Sequence, residues 1–405
     1  MSDKVFPYLQ PIVETATGLI CGYEVLARRL NSEGVVESAA DIFSDTSRSI
    51  EERIAIDLDI RAQAFAMFEQ LPKDTFLSFN VSSFWPEELD QLDTLPTLAL
   101  IEAKGIDPKR LVFEITEQDG VQDKLACLVQ RYRQKGIRIA IDDFGAGFSQ
   151  LDGITYLRPD IIKLDMQLLK QKPHESHRLS IVQMLGEMAS KLGCKVLCDG
   201  IETEDEYYQA LSCHTAYTQG FLFAPAQAQP LAVDTMKKQI SELLSHYRDM
   251  AIEVTSRNHW RADKVKAELL ALREVLKVTA SDEDLPHFIA ADHLLRFYIC
   301  DKQGNQISAN YENTDKGWVR DEENLGHNWS WRPYFFQLLG SSDTRNRVVF
   351  SEIYQDIHNG QRVQTAVLVI DDQRILLADL LDNQKDAGVM TQFGGMPNSW
   401  IPELN

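Results

Sequence analysis

Acidic and amide side chains recur in this sequence where apolar, strand-like runs stop, and together they could hold divalent cations against a phosphate. Gly22-Tyr23-Glu24-Val25-Leu26-Ala27-Arg28 carries Glu24, and Phe76-Leu77-Ser78-Phe79 leads into Asn80. Leu111-Val112-Phe113-Glu114-Ile115-Thr116-Glu117 ends in carboxylates, and Ile137-Arg138-Ile139-Ala140-Ile141 leads into the adjacent pair Asp142-Asp143. Ile161-Ile162-Lys163-Leu164-Asp165, Val196-Leu197-Cys198-Asp199-Gly200-Ile201-Glu202 and Tyr217-Thr218-Gln219 complete the series. Residues two apart on a strand face one side, so Glu24 and Arg28 project together, a carboxylate for metal and a planar guanidinium fork for phosphate oxygens. Asp142 and Asp143 face different ways unless the chain turns at once, and the following Phe144-Gly145-Ala146-Gly147 permits that turn. Such a pair can set one carboxylate between two ions ~3.5–4 Å apart and the other on the second ion, the apparatus of in-line attack on a phosphodiester. Taken singly, Glu24 with Arg28 reads as a plain ion pair, Asn80 as a helix cap and Lys163 as a surface lysine. Taken in this order at successive strand ends, the residues read as a metal-dependent hydrolase.

The elements that must position these groups follow from periodicity. Residues 49–67, 123–134 and 177–192 repeat apolar side chains at three and four spacing, as amphipathic helices do, and they lie between the strand-like runs. The alternation predicts an α/β fold, a (β/α)8 TIM-like barrel over residues 1–232 with its site at the carboxyl ends of the strands. Residues 233–280 read as a helical connector uninterrupted by Gly or Pro, with one apolar stripe from Met236 to Val254 and a second through Val265, Leu269, Leu272 and Leu276. The first stripe fits a helix covering the bottom of the barrel, and the second fits a connector that forms a homodimer. Residues 281–385 return to strands and turns, with Leu294 to Asp301 entering the hairpin signal Lys302-Gln303-Gly304-Asn305, and read as a smaller α+β domain. Residues 386–405 lack periodicity and read as a tail.

The chain has 405 residues, 44% of them hydrophobic, and a formal net charge of −20. That charge argues against DNA as a partner, because backbone binding needs clustered Lys and Arg. It leaves room for a small phosphate ligand, since carboxylates at one mouth recruit cations that reverse the local sign. No apolar run approaches the ~20 residues that span a bilayer, and the N-terminus has no signal-like segment, so a cytoplasmic protein without membrane insertion is expected. The 6 cysteines show neither an even disulfide framework nor zinc spacing and read as reduced thiols.

Gln10-Pro11-Ile12-Val13, the Glu24-Val25-Leu26 signature with Arg28, Asn80-Val81-Ser82, Glu114-Ile115-Thr116-Glu117, Asp142-Asp143-Phe144-Gly145-Ala146-Gly147-Phe148-Ser149, Lys163 and Gln219-Gly220-Phe221-Leu222-Phe223 resemble the EAL-domain family, phosphodiesterases of the bacterial second messenger cyclic di-GMP. The resemblance runs from about Val5 to Gln227 and implies hydrolysis of cyclic di-GMP to linear pGpG with Mg2+ or Mn2+ in a two-metal site. It implies Glu24, Asn80, Glu114 and Asp142 as ligands of the first ion, with Asp142 and Asp143 on the second. Lys163 is expected to orient or deprotonate the attacking water, and Glu117 to hold the 142–149 loop. Gln10 is expected on guanine and Arg28 on phosphate, with Glu202 and Gln219 behind them. The sequence departs from the family at Asp199, where the catalytic glutamate of the Ala-Glu-Gly-Val-Glu motif is one methylene shorter. A misplacement of that order can cost on the order of a hundredfold in rate, so a cyclic di-GMP receptor of weak or absent activity is the alternative. No cyclase signature of the Gly-Gly-Asp/Glu-Glu-Phe type is present. The run Trp329-Ser330-Trp331-Arg332-Pro333-Tyr334-Phe335-Phe336, with Asp356 further on, is similar to PAS-like and Cache-type sensor domains. It implies a small-molecule ligand, a zwitterion or carboxylate, near Trp331, Arg332 and Asp356, an aromatic core with a buried ion pair being the plainer reading.

Overall fold

The computed structural model describes residues 4–82, 95–116, 122–144, 150–167, 175–278, 294–314, 317–345, 347–356 and 360–381. Glu117, the 145–149 loop and the 386–405 tail lie outside the described residues. The chain divides into two compact units, Met1–Arg248 and Asp249–Asn405.

The first unit is built on a nine-stranded sheet. Its strands are β1 (Val5–Glu14), β2 (Ile20–Leu30), β3 (Val36–Ser38), β4 (Phe76–Val81), β5 (Leu111–Thr116), β6 (Arg138–Phe144), β7 (Ile161–Asp165), β8 (Lys195–Asp199) and β9 (Thr215–Thr218). The order is β1-β9-β8-β7-β6-β5-β4-β2-β3, and an added β1–β2 pairing closes the barrel, leaving β3 as an appended edge strand. Strand β1 runs antiparallel to both neighbours, whereas β2 and β4 to β9 pair in parallel. The uniform βα alternation expected from the sequence therefore fails at the first step. Residues 15–19 join β1 to β2 as a hairpin turn with Gly18 at φ +68°, because so short a connection cannot make the crossover that parallel strands require.

Helices Ile50–Ala66, Pro96–Ala103, Gln122–Gln134, Gln150–Leu157, Glu175–Lys191 and Glu204–Leu211 alternate with the parallel strands. Two of them begin with capping boxes. Ser49 and Glu52 exchange side-chain and backbone hydrogen bonds at one helix start, and Thr203 and Glu206 do so at the other. Inside the barrel, Ile12, Phe76, Val112, Ala140, Ile161, Leu197 and Tyr217 form one apolar layer. Each comes from a different strand.

One helix, Lys237–Val278, contains the boundary between the units. Its first turns pack on the barrel unit. Gln239 Nε2 donates to the Leu222 carbonyl at 3.1 Å, and the Tyr247 ring stacks on Tyr208 at 6.0 Å. Its later turns bury Val265, Leu269, Leu272 and Leu276 against Leu294, Phe297, Ile299, Tyr311, Leu376 and Ala378 of the second unit. The second stripe is thus covered by the chain's own sheet, which removes the sequence argument that it needs a second copy.

That sheet is antiparallel and seven-stranded, in the order β12-β11-β10-β16-β15-β13 with β14 pairing β15. Its strands are β10 (Leu294–Asp301), β11 (Asn310–Thr314), β12 (Gly317–Asp321), β13 (Val348–Phe350), β14 (Tyr354–Gln355), β15 (Arg362–Val369) and β16 (Arg374–Leu381). Side chains alternate between its faces. Phe297, Ile299, Leu376 and Ala378 meet the long helix, while Tyr298, Cys300, Ile375 and Leu377 pack with Tyr334, Phe335 and Leu338 of helix Pro333–Leu339. Among the described residues, no helix is long and apolar enough to cross a membrane.

Candidate functional site at the barrel mouth

Two residues beyond the apolar layer, toward the carboxyl ends of the parallel strands, every inward position becomes polar. Phe76 gives way to Ser78, Val112 to Glu114, Ala140 to Asp142, Ile161 to Lys163, Leu197 to Asp199 and Tyr217 to Gln219. On antiparallel β1 the count runs backward from Ile12 to Gln10, which lies opposite Glu24 in register. The strand period therefore gathers side chains that are far apart in sequence into one ring.

Lys163 is the hub of that ring and is 2% exposed. Its Nζ lies 2.5 Å from Glu114 Oε2, 3.1 Å from Asp142 Oδ1, 3.3 Å from Glu24 Oε2 and 3.8 Å from Asp199 Oδ2. Asn80 Nδ2 donates to Glu24 Oε1 at 2.9 Å, and Gln219 Nε2 donates to Glu24 Oε2 at 2.6 Å. The Ser78 hydroxyl donates to Glu114 Oε1. Gly220 holds Gln219 in place: at φ +149° its backbone passes so close to Ile201 that a Cβ would lie 2.1 Å from the Ile201 carbonyl oxygen.

The adjacent aspartates are separated by a register shift between Ile141 and Phe144 in the β6–β7 pairing. Asp143 sits at φ +54°, a left-handed conformation uncommon for a residue with a Cβ, and its backbone amide donates to Asp142 Oδ1 at 3.0 Å. The turn that the sequence assigned to the following glycines thus begins within the aspartate pair.

One ammonium does not neutralise this many carboxylates. Burial pushes the Glu114 carboxyl well above its ordinary range, with Glu24 and Asp142 adding to the push and Lys163 opposing it. Burial likewise lifts Asp199 from 3.8 to about 7, against the pull of Lys163. Asp143 is raised by burial and by Asp142 and Asp165. Burial also raises Glu24, but Lys163 and the amide donors Gln219 and Asn80 outweigh it and leave that carboxyl low. For Lys163, burial favours the neutral amine, and the four carboxylates overcome it and keep the ammonium charged. Oxygen donors from carboxylate and amide, carrying negative charge in excess, are the donor set that hard divalent cations take. Among the described residues, no three His, Cys, Asp or Glu side chains converge as a ready cage; they converge on the Lys163 ammonium instead. The residues fit a cation, and its arrival would turn the carboxylates from Lys163 toward it.

The sequence-predicted residues divide by position. Glu24, Asn80, Glu114, Asp142, Lys163, Asp199 and Gln219 come together, with Asp143 at the rim and Gln10 buried opposite Glu24. Arg28, further along β2 from Glu24, is half-buried and donates to the Ala27 carbonyl at 3.0 Å. Glu202 is exposed, and its backbone amide donates to Glu206 Oε2 at 2.6 Å. Two supports were missed. Ser78 could have been found from its place two residues before Asn80 on an apolar strand. Arg61, 1% exposed, pairs with Asp57 at 2.9 Å and donates from Nη2 to the Asn80 carbonyl at 3.0 Å, so a helix fixes the strand end that bears Asn80. The Asp57–Arg61 spacing of four was its only signal.

A closed barrel with an acidic, lysine-centred mouth defines the class as a (β/α) barrel protein. The chain belongs to the EAL-domain family: residues 1–226 match the EAL domain, and residues 231–383 match the EAL-domain associated signalling protein domain. It is 30% identical over 392 residues to the uncharacterized EAL-domain containing protein YkuI of Bacillus subtilis (strain 168), covering 93% of this chain and 94% of that one. The crystal structure of YkuI, in complex with substrate c-di-GMP and calcium, superposes with a TM-score of 0.84 at 28% identity, over 94% of this chain and 96% of that one. The barrel region is 31% identical over 222 residues to the cyclic di-GMP phosphodiesterase PA2567 of Pseudomonas aeruginosa, 53% of this chain and 37% of that one.

In the second unit, Asp356 is buried and pairs with Arg296, whose Nε lies 2.5 Å from Asp379 Oδ2. Arg332 instead stacks on Trp331, 4.2 Å from the ring centroid. The sequence grouped Arg332 with Asp356; the sheet gives Asp356 to a strand cation that had not been singled out.

Proposed function

We propose that this chain is a divalent-cation-dependent phosphodiesterase that opens cyclic di-GMP to linear pGpG. One observation carries the reading: Glu24, Asn80, Glu114, Asp142 and Asp199 meet around Lys163 in a chain that resembles, along most of its length, a protein seen with cyclic di-GMP and calcium. Glu24, Asn80, Glu114 and Asp142 would hold one Mg2+ or Mn2+, and Asp142 with Asp143 a second. Bound there, the cations would neutralise the phosphate and lower the pKa of water. Lys163, with those carboxylates turned to the cations, would orient the attacking water and take part in moving its proton. Gln219 and Asn80 keep Glu24 ionised and aimed, Arg28 grips phosphate, Gln10 reads guanine, Glu202 with Gln219 helps to position the substrate, and Glu117 holds the 142–149 loop.

A receptor that binds without cleaving is the second reading, and Asp199 favours it. Its Oδ1 is held by the Gly200 amide at 2.7 Å, and it is a methylene shorter than the family's glutamate. Incubating purified protein with cyclic di-GMP and Mn2+ and separating the products distinguishes the two. Linear pGpG supports the enzyme; tight calorimetric binding with no cleavage makes the protein a receptor.

The same reading gives residues 1–232 the chemistry, residues 233–280 the link, and the PAS/Cache-like residues 281–385 a small-molecule input near Trp331 and Arg332 that modulates it. It includes a cytoplasmic location and a homodimer.

A further inference from the structure

The turns at the amino ends of β4 to β8, the barrel end opposite the mouth, carry charge of the other sign. Residues 71–75, 104–110, 133–138, 158–160 and 191–195 hold 10 Lys or Arg against 3 Asp, in a chain of 41 Lys or Arg against 61 Asp or Glu. Strands β4 to β8 are neighbours in the sheet, and printed-length contacts between their turns join them into one arc. Arg110 donates from Nε to the Thr75 carbonyl at 2.9 Å and from Nη2 to the Pro72 carbonyl at 2.8 Å. A Cβ on Gly136 would stand 3.4 Å from Lys109 Cγ. Arg133 Nη2 donates to the Arg158 carbonyl, and the Lys195 amide donates to the Asp160 carbonyl at 2.9 Å.

The arc's acids answer its half-buried arginines. Asp107 and Asp74 act electrostatically on Arg110, and Asp160 lies 3.8 Å from Arg133. Lys73, Lys104, Lys109, Lys135 and Arg158 are exposed and have no ion-pair partner among the described residues. Four α-helices end on the arc, and each carbonyl end offers a cation only about half a negative charge, less than the basic excess there. Glu14 lies on β1, outside the arc, and is engaged by the Thr17 hydroxyl at 2.8 Å. The carboxylates of the mouth do not cancel this field. A strand such as β5, at ~3.3 Å per residue, sets the two barrel ends ~20 Å apart, about twice the ~10 Å Debye length at 0.1 M salt.

The five turns contain no aromatic side chain on which a base could stack, and they present neither helix nor ribbon to a nucleic-acid groove. Leu192 stands among them instead, 55% exposed between Lys191 and Lys195. Unpaired basic groups with an exposed aliphatic one suit the charged surface of a bilayer.

We propose that this arc is a docking surface for an anionic phospholipid membrane, bound at its surface without insertion. A barrel seated that way turns its acidic mouth away from the lipid. The proposal stands whether or not the mouth cleaves cyclic di-GMP.

The test sediments the full chain with vesicles of phosphatidylglycerol and phosphatidylcholine in equal parts, and with vesicles of phosphatidylcholine alone. A chelator keeps divalent cations from bridging acidic residues to the lipid. Sedimentation with the anionic vesicles alone is expected at ~0.1 M salt, with release at ~1 M, where the Debye length falls to ~3 Å. Lys104→Gln/Lys109→Gln/Lys135→Gln should weaken it about a hundredfold, each basic group near an anionic surface being worth about fivefold. The same charge change on exposed lysines elsewhere, Lys264→Gln/Lys266→Gln/Lys302→Gln, should leave most of the binding. Circular dichroism melts establish that both variants are folded. No sedimentation with the anionic vesicles, or equal loss in the two variants, overturns the proposal. So does tighter binding to an RNA oligomer than to the vesicles, lost in the arc variant, which would make the arc a nucleic-acid surface.

Discussion

Lys163 and Asp199 set the behaviour of the mouth residue by residue. Asp199 stands where the resemblance implies a catalytic glutamate, and 33% of its side chain is exposed. Restoring the reach with Asp199→Glu is expected to keep or raise turnover of cyclic di-GMP, whereas Glu24→Ala and Asp142→Asn remove charge from the cation site and abolish it. Steady-state rates with Mn2+ check this, and a sharp drop in Asp199→Glu would mean that the backbone has adapted to aspartate. The same residue predicts a pH effect. A carboxyl raised in the folded state, here from 3.8 to about 7, binds more protons folded than unfolded. Its contribution to stability is therefore present at low pH and is lost as pH rises through that window, and Glu114 acts with the same sign. The melting temperature of metal-free protein is expected to fall across this window, less steeply in Asp199→Asn, and Mn2+ restores it at the upper end. A flat profile, or one unchanged in Asp199→Asn, would contradict the assignment.

Elements matter because each functional side chain is aimed by a strand and each strand end is held by something else. The end of β4 is held by Arg61, buried on the Ile50–Ala66 helix, paired with Asp57 and lying 5.5 and 5.2 Å from the Phe79 and Phe113 rings. Arg61→Met removes the buried cation that pairs with Asp57, a loss of up to roughly 3–5 kcal/mol by comparison with other broken buried pairs. It is also expected to raise the Mn2+ concentration needed for half-maximal rate, because Asn80 is no longer fixed. The Asp57→Leu/Arg61→Met pair should regain stability in denaturant melts without regaining Mn2+ affinity. In the second unit, Leu269 is 3% exposed between the long helix and the sheet. Leu269→Ala there should cost about 2–5 kcal/mol, with the loss confined to that unit in a two-step denaturant melt.

At the scale of the whole molecule, one helix serves both units. Its first turns pack on the barrel unit and its later turns on the second sheet. If the second unit regulates the mouth, ending the chain at Arg248 should change turnover by several fold while barrel melting is kept. Equal turnover would remove the basis for regulation. Sedimentation of the full chain tests the homodimer, for which the second apolar stripe no longer provides an argument.

The sequence by itself determined which residues meet at the mouth. Glu24, Asn80, Glu114, Asp142, Lys163, Asp199 and Gln219 each sit at or near the end of a strand-like run, and a period of two sends them to one side of a closed barrel. It also determined the helices, since 49–67, 123–134 and 177–192 foretold Ile50–Ala66, Gln122–Gln134 and Glu175–Lys191 closely. It did not determine direction or partnership. The reversal of β1 depends on closing the barrel through β1–β2, a long-range pairing that no local pattern records. The allotment of Asp356 to Arg296, of Arg61 to Asn80, and of the Val265 to Leu276 stripe to its own sheet depends on which surfaces the folded chain brings within contact distance. Periodicity tells which way a side chain points, and only tertiary packing decides what it then meets.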